Sequence, residues 1–391
     1  MMDTLKREAL SQRVRAVKPS GIRKFFDIIN SMPDVISLGV GEPDFVTPEH
    51  IRQAGIEALR RGETHYTSNY GILELREEIA AMLQRRYGLL YDPQKEILVT
   101  VGVSEGVDLA MRALVDPGDE VISLDPGYVA YEADILFAGG VVVPVPTYAR
   151  YNFAVRAAEI APLITPRTKV ILLGNPNNPT GAVIPRAELE GIARLALEHD
   201  LYLVVDEVYS RLVYETEHVC MAALPGMRER TILLDGFSKA YAMTGWRVGY
   251  VAAPATLLEA MLKVHQYAIM CAGTVAQVAA LEALRHGEED VCAMHAEYAR
   301  RRRLFVDGLN RIGLPTCEPR GAFYAFPCVT QTGMSDEEFA EKLLLEERVA
   351  VVPGSSFGAC GAGYVRCAYC TSYEQLEEAL RRIERFLKRH Q

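Results

Sequence analysis

The sequence predicts an α/β protein with a mostly parallel sheet and a smaller α+β part beside it. Between about residues 97 and 234, short β-branched apolar runs alternate with amphipathic stretches, the signature of βαβ units. After about Pro254, long helical stretches dominate and the strands become few and short, which is an α+β pattern. A chain of 391 residues, 49% hydrophobic and 24% charged, has material for a large core and is no candidate for disorder. At about 150 residues per domain, that length divides into two or three domains.

Taken in order, Ile97–Val101 reads as a strand and Ser104–Leu114 as a helix. Glu120–Leu124 is a strand, Tyr128–Phe137 a helix and Val141–Val145 a strand. Lys169–Leu173 is a strand, Arg186–Glu198 a helix, and Leu201–Val205 and Thr231–Leu234 are strands. These strands are mainly apolar along their length, as expected when both sheet faces are covered. Beyond them, Leu257–Arg285 and Glu288–Leu309 read as long helices. Phe323–Phe326 and Tyr364–Ala368 read as strands, with Asp336–Leu345 and Tyr373–Arg389 as helices. Gly313–Gly321, with Pro315 and Pro319, is a loop.

Composition excludes several classes. With 42 basic and 51 acidic side chains the net charge is −9, which argues against non-specific nucleic-acid binding but not against a local anion site. The longest stretch without Asp, Glu, Lys or Arg, Val264–Leu281, is interrupted by polar residues and falls short of the ~20 apolar residues that span a membrane. Met1–Ser20 carries scattered charges and no apolar segment, so a secretory signal is not expected and the expected compartment is the cytoplasm. The eight cysteines are too sparse for a disulfide framework. Cys367-x-x-Cys370 has no second ligand pair, so buried thiols and no metal are expected.

Four segments at strand ends carry the candidate chemistry, because ligands of open α/β sheets sit beyond the carboxyl ends of strands. Val101–Gly106 follows a strand and opens a helix, and free N–H groups there bind phosphate. Gly and Ser also serve such turns simply as caps, and neither the P-loop nor the G-x-G-x-x-G pattern is present. Asn175–Gly181 is a rigid turn with two prolines and three asparagines, more polar donors than a turn requires. Asp206 ends an apolar strand, where a carboxylate seeks a cation or a donor, or caps the next turn, with Tyr209 three residues on. Lys239 follows a strand among Gly, Phe, Tyr, Met and Trp. A desolvated lysine has a lowered pKa and becomes a nucleophilic amine suited to a Schiff base.

With Leu38–Phe45, Tyr66–Gly71, Asp125–Tyr128, Ser238–Gly249, Gly321–Tyr324 and Gly363–Arg366, these stretches resemble, in order and spacing, the fold-type I pyridoxal-phosphate-dependent aminotransferases of the aspartate aminotransferase class. The resemblance covers nearly the whole chain. It implies a large domain over 46–285 with a seven-stranded, mostly parallel sheet sandwiched by helices. It also implies a smaller α+β domain formed by 1–45 and 286–391.

By resemblance, Lys239 forms the Schiff base with pyridoxal 5′-phosphate, and Asp206 pairs with the pyridine nitrogen to keep it protonated. Tyr209 and Asn178 bond the ring's phenolic oxygen, and Tyr128 stacks on the ring. Val103, Ser104 and Glu105 surround the phosphate, the last two through backbone N–H groups, and Ser238 and Arg247 complete that site. Arg366, with Gly41 and Asn178, is implied to receive the substrate α-carboxylate. Ile22, Phe323 and Tyr324 are implied as pocket walls. Tyr66 is implied to cross to a partner's phosphate, making a two-fold homodimer.

Two positions depart from the family pattern. Gly236 stands where a serine or threonine is frequent, three residues before the lysine. The stretch His265–Cys271 also lacks the arginine that dicarboxylate-specific relatives bring from the partner. A strict aspartate preference is therefore not implied; aromatic, alanine-type or broad substrates remain, with Arg23 as another candidate cation. The expected reaction is a two-step, ping-pong transfer of an amino group between an L-amino acid (aspartate, aromatic or a broad set) and a 2-oxo acid such as 2-oxoglutarate. The alternatives are a β-lyase or a cyclopropane-forming synthase on the same residues. A non-catalytic module attached to a DNA-binding domain is a third reading, and only a short arm precedes Gly41.

Overall fold

A computed structural model describes residues 10–17, 32 and 34–390. Ile22 and Arg23 lie outside the described residues. In chain order the strands are β1 (Ile36–Ser37), β2 (Ile97–Thr100), β3 (Glu120–Asp125), β4 (Val141–Pro146), β5 (Thr168–Gly174) and β6 (Tyr202–Asp206). They continue with β7 (Thr231–Gly236), β8 (Gly249–Ala252), β9 (Tyr324–Ala325), β10 (Val349–Ala350), β11 (Val352–Pro353) and β12 (Val365–Ala368).

Seven of them form one sheet in the order β2-β8-β7-β6-β5-β3-β4. β8 runs antiparallel to β2 and β7, and the other pairings are parallel. Successive strand residues point to opposite faces. Val170, Leu172 and Val204 accordingly pack on one helix layer, and Ile171, Leu173, Leu203 and Val205 on the other. This two-sided burial is why the inner strands β5 and β6 read as mainly apolar runs, while the edge strand β4 is largely open.

Helices Arg186–Glu198 and Tyr373–Arg389 have the bounds that the sequence predicts. The second starts at Ser372, whose hydroxyl accepts from the Gln375 N–H at 3.2 Å. It buries Leu376, Ala379, Ile383 and Phe386 at the three-to-four-residue spacing of a single face.

The predicted helix Leu257–Arg285 is instead two helices, Ala255–Ala268 and Thr274–His286. The chain turns at Met270, which has φ +73°. One partner distant in sequence and one local one satisfy polar groups freed by this break. The Asn69 amide donates to Met270 O at 3.1 Å and the Gln277 amide donates to Ala272 O at 2.8 Å. The structure adds β8 and the helices Glu49–Arg60 and Leu73–Tyr87.

β1 pairs in parallel with β10, Ile36 opposite Val349. Ile36 and Leu38 share a core with Phe305, Phe339, Ile383 and Phe386. The segment before Gly41 is thereby held beside the C-terminal elements, at the rim of the large sheet. All eight cysteines are free, and Cys367 and Cys370 are buried. No described helix is long and apolar enough to cross a membrane.

Candidate active site

A cavity of about 400 Å³ opens beyond the carboxyl ends of β5, β6 and β7, and Lys239, Asp206, Arg247 and Arg366 all line it. Asp206 is the last residue of β6 and lies opposite Gly174 of β5. Its Oδ2 accepts from the Tyr131 hydroxyl at 2.8 Å and its Oδ1 from the Val208 N–H at 3.1 Å. Burial pushes the carboxyl up to about 6, against the pull of these two donors and of Lys239. At neutral pH the group is therefore mainly an anion, already oriented.

Tyr131 carries no motif signal in the sequence, and its partner is 75 residues away. Gly174 makes room for it, since a β-carbon there would stand 2.9 Å from the Tyr131 hydroxyl. A hydrogen bond to a charged group contributes about 1.5–3 kcal/mol, or about one to two pKa units. Tyr131→Phe is accordingly expected to raise the Asp206 pKa, slow transamination about tenfold, and move the acid limb of the pH–rate profile upward. An unchanged profile would remove this role.

Lys239 follows β7 by three residues, and its amine donates to Gly41 O at 2.7 Å. Burial brings it down to about 8, and the nearby cations Arg366 and Arg247 act in the same direction. Around pH 8 half of these amines are uncharged, the nucleophilic form. Gly41 has no room for a side chain, because a β-carbon would overlap the Tyr324 hydroxyl. That hydroxyl lies 2.7 Å from the hydroxyl of Tyr209. Tyr209 and Tyr324 line the cavity. Phe323 is fully buried one layer behind, edge-on to Tyr209 and with its centroid 5.7 Å from the Lys239 amine.

Arg366, on β12, is 3% exposed. It donates to Asn178 Oδ1 at 2.8 Å and to Gly39 O at 2.6 Å, while its Nε has no partner. The rings of Tyr324 and Phe357 flank its guanidinium at 4.7 and 4.8 Å. The cation is thus held rigidly and still has donor capacity to spare.

At the other end, Val103 and Ser104 line the cavity in the first turn of helix Gly102–Leu114. Arg247 has φ +54°, and a β-carbon on Gly102 would stand 2.7 Å from its Nη2. Free helix N–H groups and a guanidinium thus meet in one place, with Ser238 lining the same cavity. A β-carbon at Gly236 would stand 3.0 Å from Gly249 Cα and 3.2 Å from Val103 Cγ2. The close β7–β8 pairing and the Val103 side chain therefore leave a side chain at this position little room unless they shift by a few tenths of an ångström. Glu105 turns its carboxylate away from the cavity, toward the Val101 N–H and His265. Tyr128 lines the cavity with its ring edge-on to Tyr131, centroids 5.5 Å apart. Tyr66 is 80% exposed and away from this cavity.

These residues fit pyridoxal phosphate: an amine for the aldehyde, a buried anion for the ring nitrogen, and a cationic helix terminus for the phosphate. A separate guanidinium is left for a carboxylate. Such a site on a mostly parallel sheet defines a pyridoxal-phosphate enzyme acting on amino acids. The chain belongs to the aminotransferase class I and II family, whose model matches residues 33–383. It is 55% identical to the "Putative aminotransferase YugH" of Bacillus subtilis, covering 97% of this chain and 98% of that protein. It is 46% identical to "Aromatic-amino-acid aminotransferase 2" of Thermococcus litoralis, with 97% and 98% covered. A solved structure of aspartate aminotransferase from Thermus thermophilus with maleate superposes with a TM-score of 0.92, at 43% identity over 97% of this chain and 100% of that one. The chain is a pyridoxal-phosphate-dependent transaminase.

Proposed function

We propose that the enzyme moves the amino group of an aromatic or otherwise broad class of L-amino acid to a 2-oxo acid such as 2-oxoglutarate. It does so in two half-reactions, as a homodimer. The carrying observation is the division of cations: among the described residues, Lys239, Arg247 and Arg366 line the cavity. With Lys239 on the aldehyde and Arg247 on the phosphate, Arg366 takes the α-carboxylate. No further described cation in the cavity is left for a side-chain carboxylate, while Tyr128, Tyr324 and Val107 offer apolar surface.

When bound, pyridoxal phosphate supplies the carbonyl that condenses with the amino group and the ring that takes up electrons. Arg366 and Asn178 fix the α-carboxylate, which sets the substrate Cα over Lys239. Lys239 would take the Cα proton and give it back, as base and then acid. Asp206 would hold a proton on the ring nitrogen of the bound group.

Homodimer formation is supported by Tyr66 and Tyr267, which are 80% and 88% exposed, with Ile269 and Met270 also open. Sedimentation at micromolar concentration is expected to give twice the chain mass.

The test of the substrate is a donor panel with 2-oxoglutarate, then pyruvate and oxaloacetate. Aromatic donors are expected to match or exceed aspartate. Pyruvate and ammonia without an amino product would instead make the enzyme a lyase. Arg366→Lys loses the planar fork, worth about 2–3 kcal/mol. It is expected to raise the donor KM about a hundredfold with a smaller change in kcat. An unaltered KM would remove Arg366 from the carboxylate site.

A further inference from the structure

The turn that opens helix Gly102–Leu114 depends on a side-chain pair outside the cavity. Glu105 Oε2 accepts from the Val101 N–H at 2.5 Å, and Glu105 Oε1 accepts from His265 Nδ1 at 2.7 Å. His265 is fully buried on helix Ala255–Ala268, and its Nε2 has no partner. Breaking the Nδ1 bond would leave the desolvated imidazole with no partner and Glu105 with only the Val101 N–H, so the geometry is strongly held. Through Glu105 the imidazole is connected to Val101, the residue at the start of the turn. The committed Val101 N–H sits directly before the free N–H groups of Gly102, Val103 and Ser104. The same bond draws the Glu105 charge toward His265, away from the position of an incoming dianion.

We propose that His265 and Glu105 are positioning residues for the phosphate: the pair fixes Val101–Ser104 so that its free N–H groups and Arg247 converge on the anion. The inference rests on the assignment of this turn to the cofactor's phosphate.

The experiment is a titration of apoenzyme with pyridoxal phosphate and, separately, with pyridoxal, which lacks the phosphate. Absorbance gives each Kd, and thermal melting is followed in parallel. Wild-type protein is expected to bind pyridoxal phosphate far more tightly than pyridoxal. Equal affinities there would refute the phosphate assignment itself, independently of any variant. His265→Leu and Glu105→Ala are each expected to raise the pyridoxal phosphate Kd about tenfold and leave the pyridoxal Kd within about twofold. The double variant is expected to be no worse than either single one. Glu105→Gln, which still accepts from Val101 and reaches His265, is expected to retain most of the discrimination. Glu105 is only partly buried, so Glu105→Ala carries the test alone if His265→Leu does not fold. Lowered melting with undiminished discrimination would make the pair purely structural and overturn the proposal.

Discussion

Lys239→Ala is expected to lower kcat by about 10,000-fold or more, because a positioned general base contributes about 100- to 10,000-fold and this residue also supplies the amine for the cofactor. No other described lysine lines the cavity. Added methylamine is expected to restore part of the rate, since a small amine can enter the vacated space and carry the proton. Wild-type turnover in the variant would displace Lys239 from the mechanism. Burial holds the wild-type amine at about 8 against an ordinary 10.5. Capture of pyridoxal phosphate by apoenzyme is therefore expected to accelerate as pH rises through about 8, where the free base becomes dominant.

The same depressed pKa has a consequence for stability. Between about 8 and 10.5 the unfolded chain binds more protons at this residue than the folded one, so stability rises with pH across that window. Below it, the buried ammonium destabilises the fold by an amount on the order of 1–3 kcal/mol. Apo Lys239→Ala is expected to melt above apo wild type at pH 7, and the gap is expected to narrow toward pH 10. A gap that widens with pH would contradict the assigned direction.

Much of the scaffold was legible because local pattern and tertiary demand coincide. β5 and β6 are apolar on both faces, and Tyr373–Arg389 alternates its faces at helical period. The helix break at 269–273 was not legible. One of its freed carbonyls, Met270 O, is met by Asn69, some 200 residues away, and Gly273 alone is too weak a local signal to divide the helix. β8 is not marked in the sequence because it opens on a glycine directly after the lysine segment, with no turn signal to separate the two. At the site, Lys239 and Asp206 announce themselves by position at strand ends and by motif, whereas Arg366, inside β12, is marked only by the family resemblance. Tyr131 and His265 do not announce themselves, since each acts through a carboxylate 75 or 160 residues distant, and nothing in the local sequence marks either. Gly236 shows the converse case. Its departure from the family pattern was visible, but the reason, the β7–β8 approach and the Val103 side chain, exists only in three dimensions.

Asp206→Asn is expected to reduce kcat about a thousandfold or more, at the upper end for removal of one preorganised electrostatic group. The substitution keeps the shape and one acceptor oxygen for the Val208 N–H, while the Tyr131 hydroxyl can turn to accept from the amide NH2, so the loss reports charge and not collapse. Asp206 is 8% exposed, and with water nearly excluded its negative charge would act on the nitrogen of a bound pyridine ring with little screening. An amide cannot hold that nitrogen protonated, and the electrons of the substrate Cα then lack their sink. Asp206→Ala is expected to be at least as slow and also less stable, since it leaves the buried Tyr131 hydroxyl without its acceptor, at a cost of about 1–3 kcal/mol. The pairing predicts strong non-additivity: once Asp206 is Asn, adding Tyr131→Phe is expected to slow the enzyme little further. If the two effects multiplied instead, Tyr131 would act on the reaction by a route other than Asp206. If Asp206→Asn retained wild-type kcat, the carboxylate would have no part in catalysis.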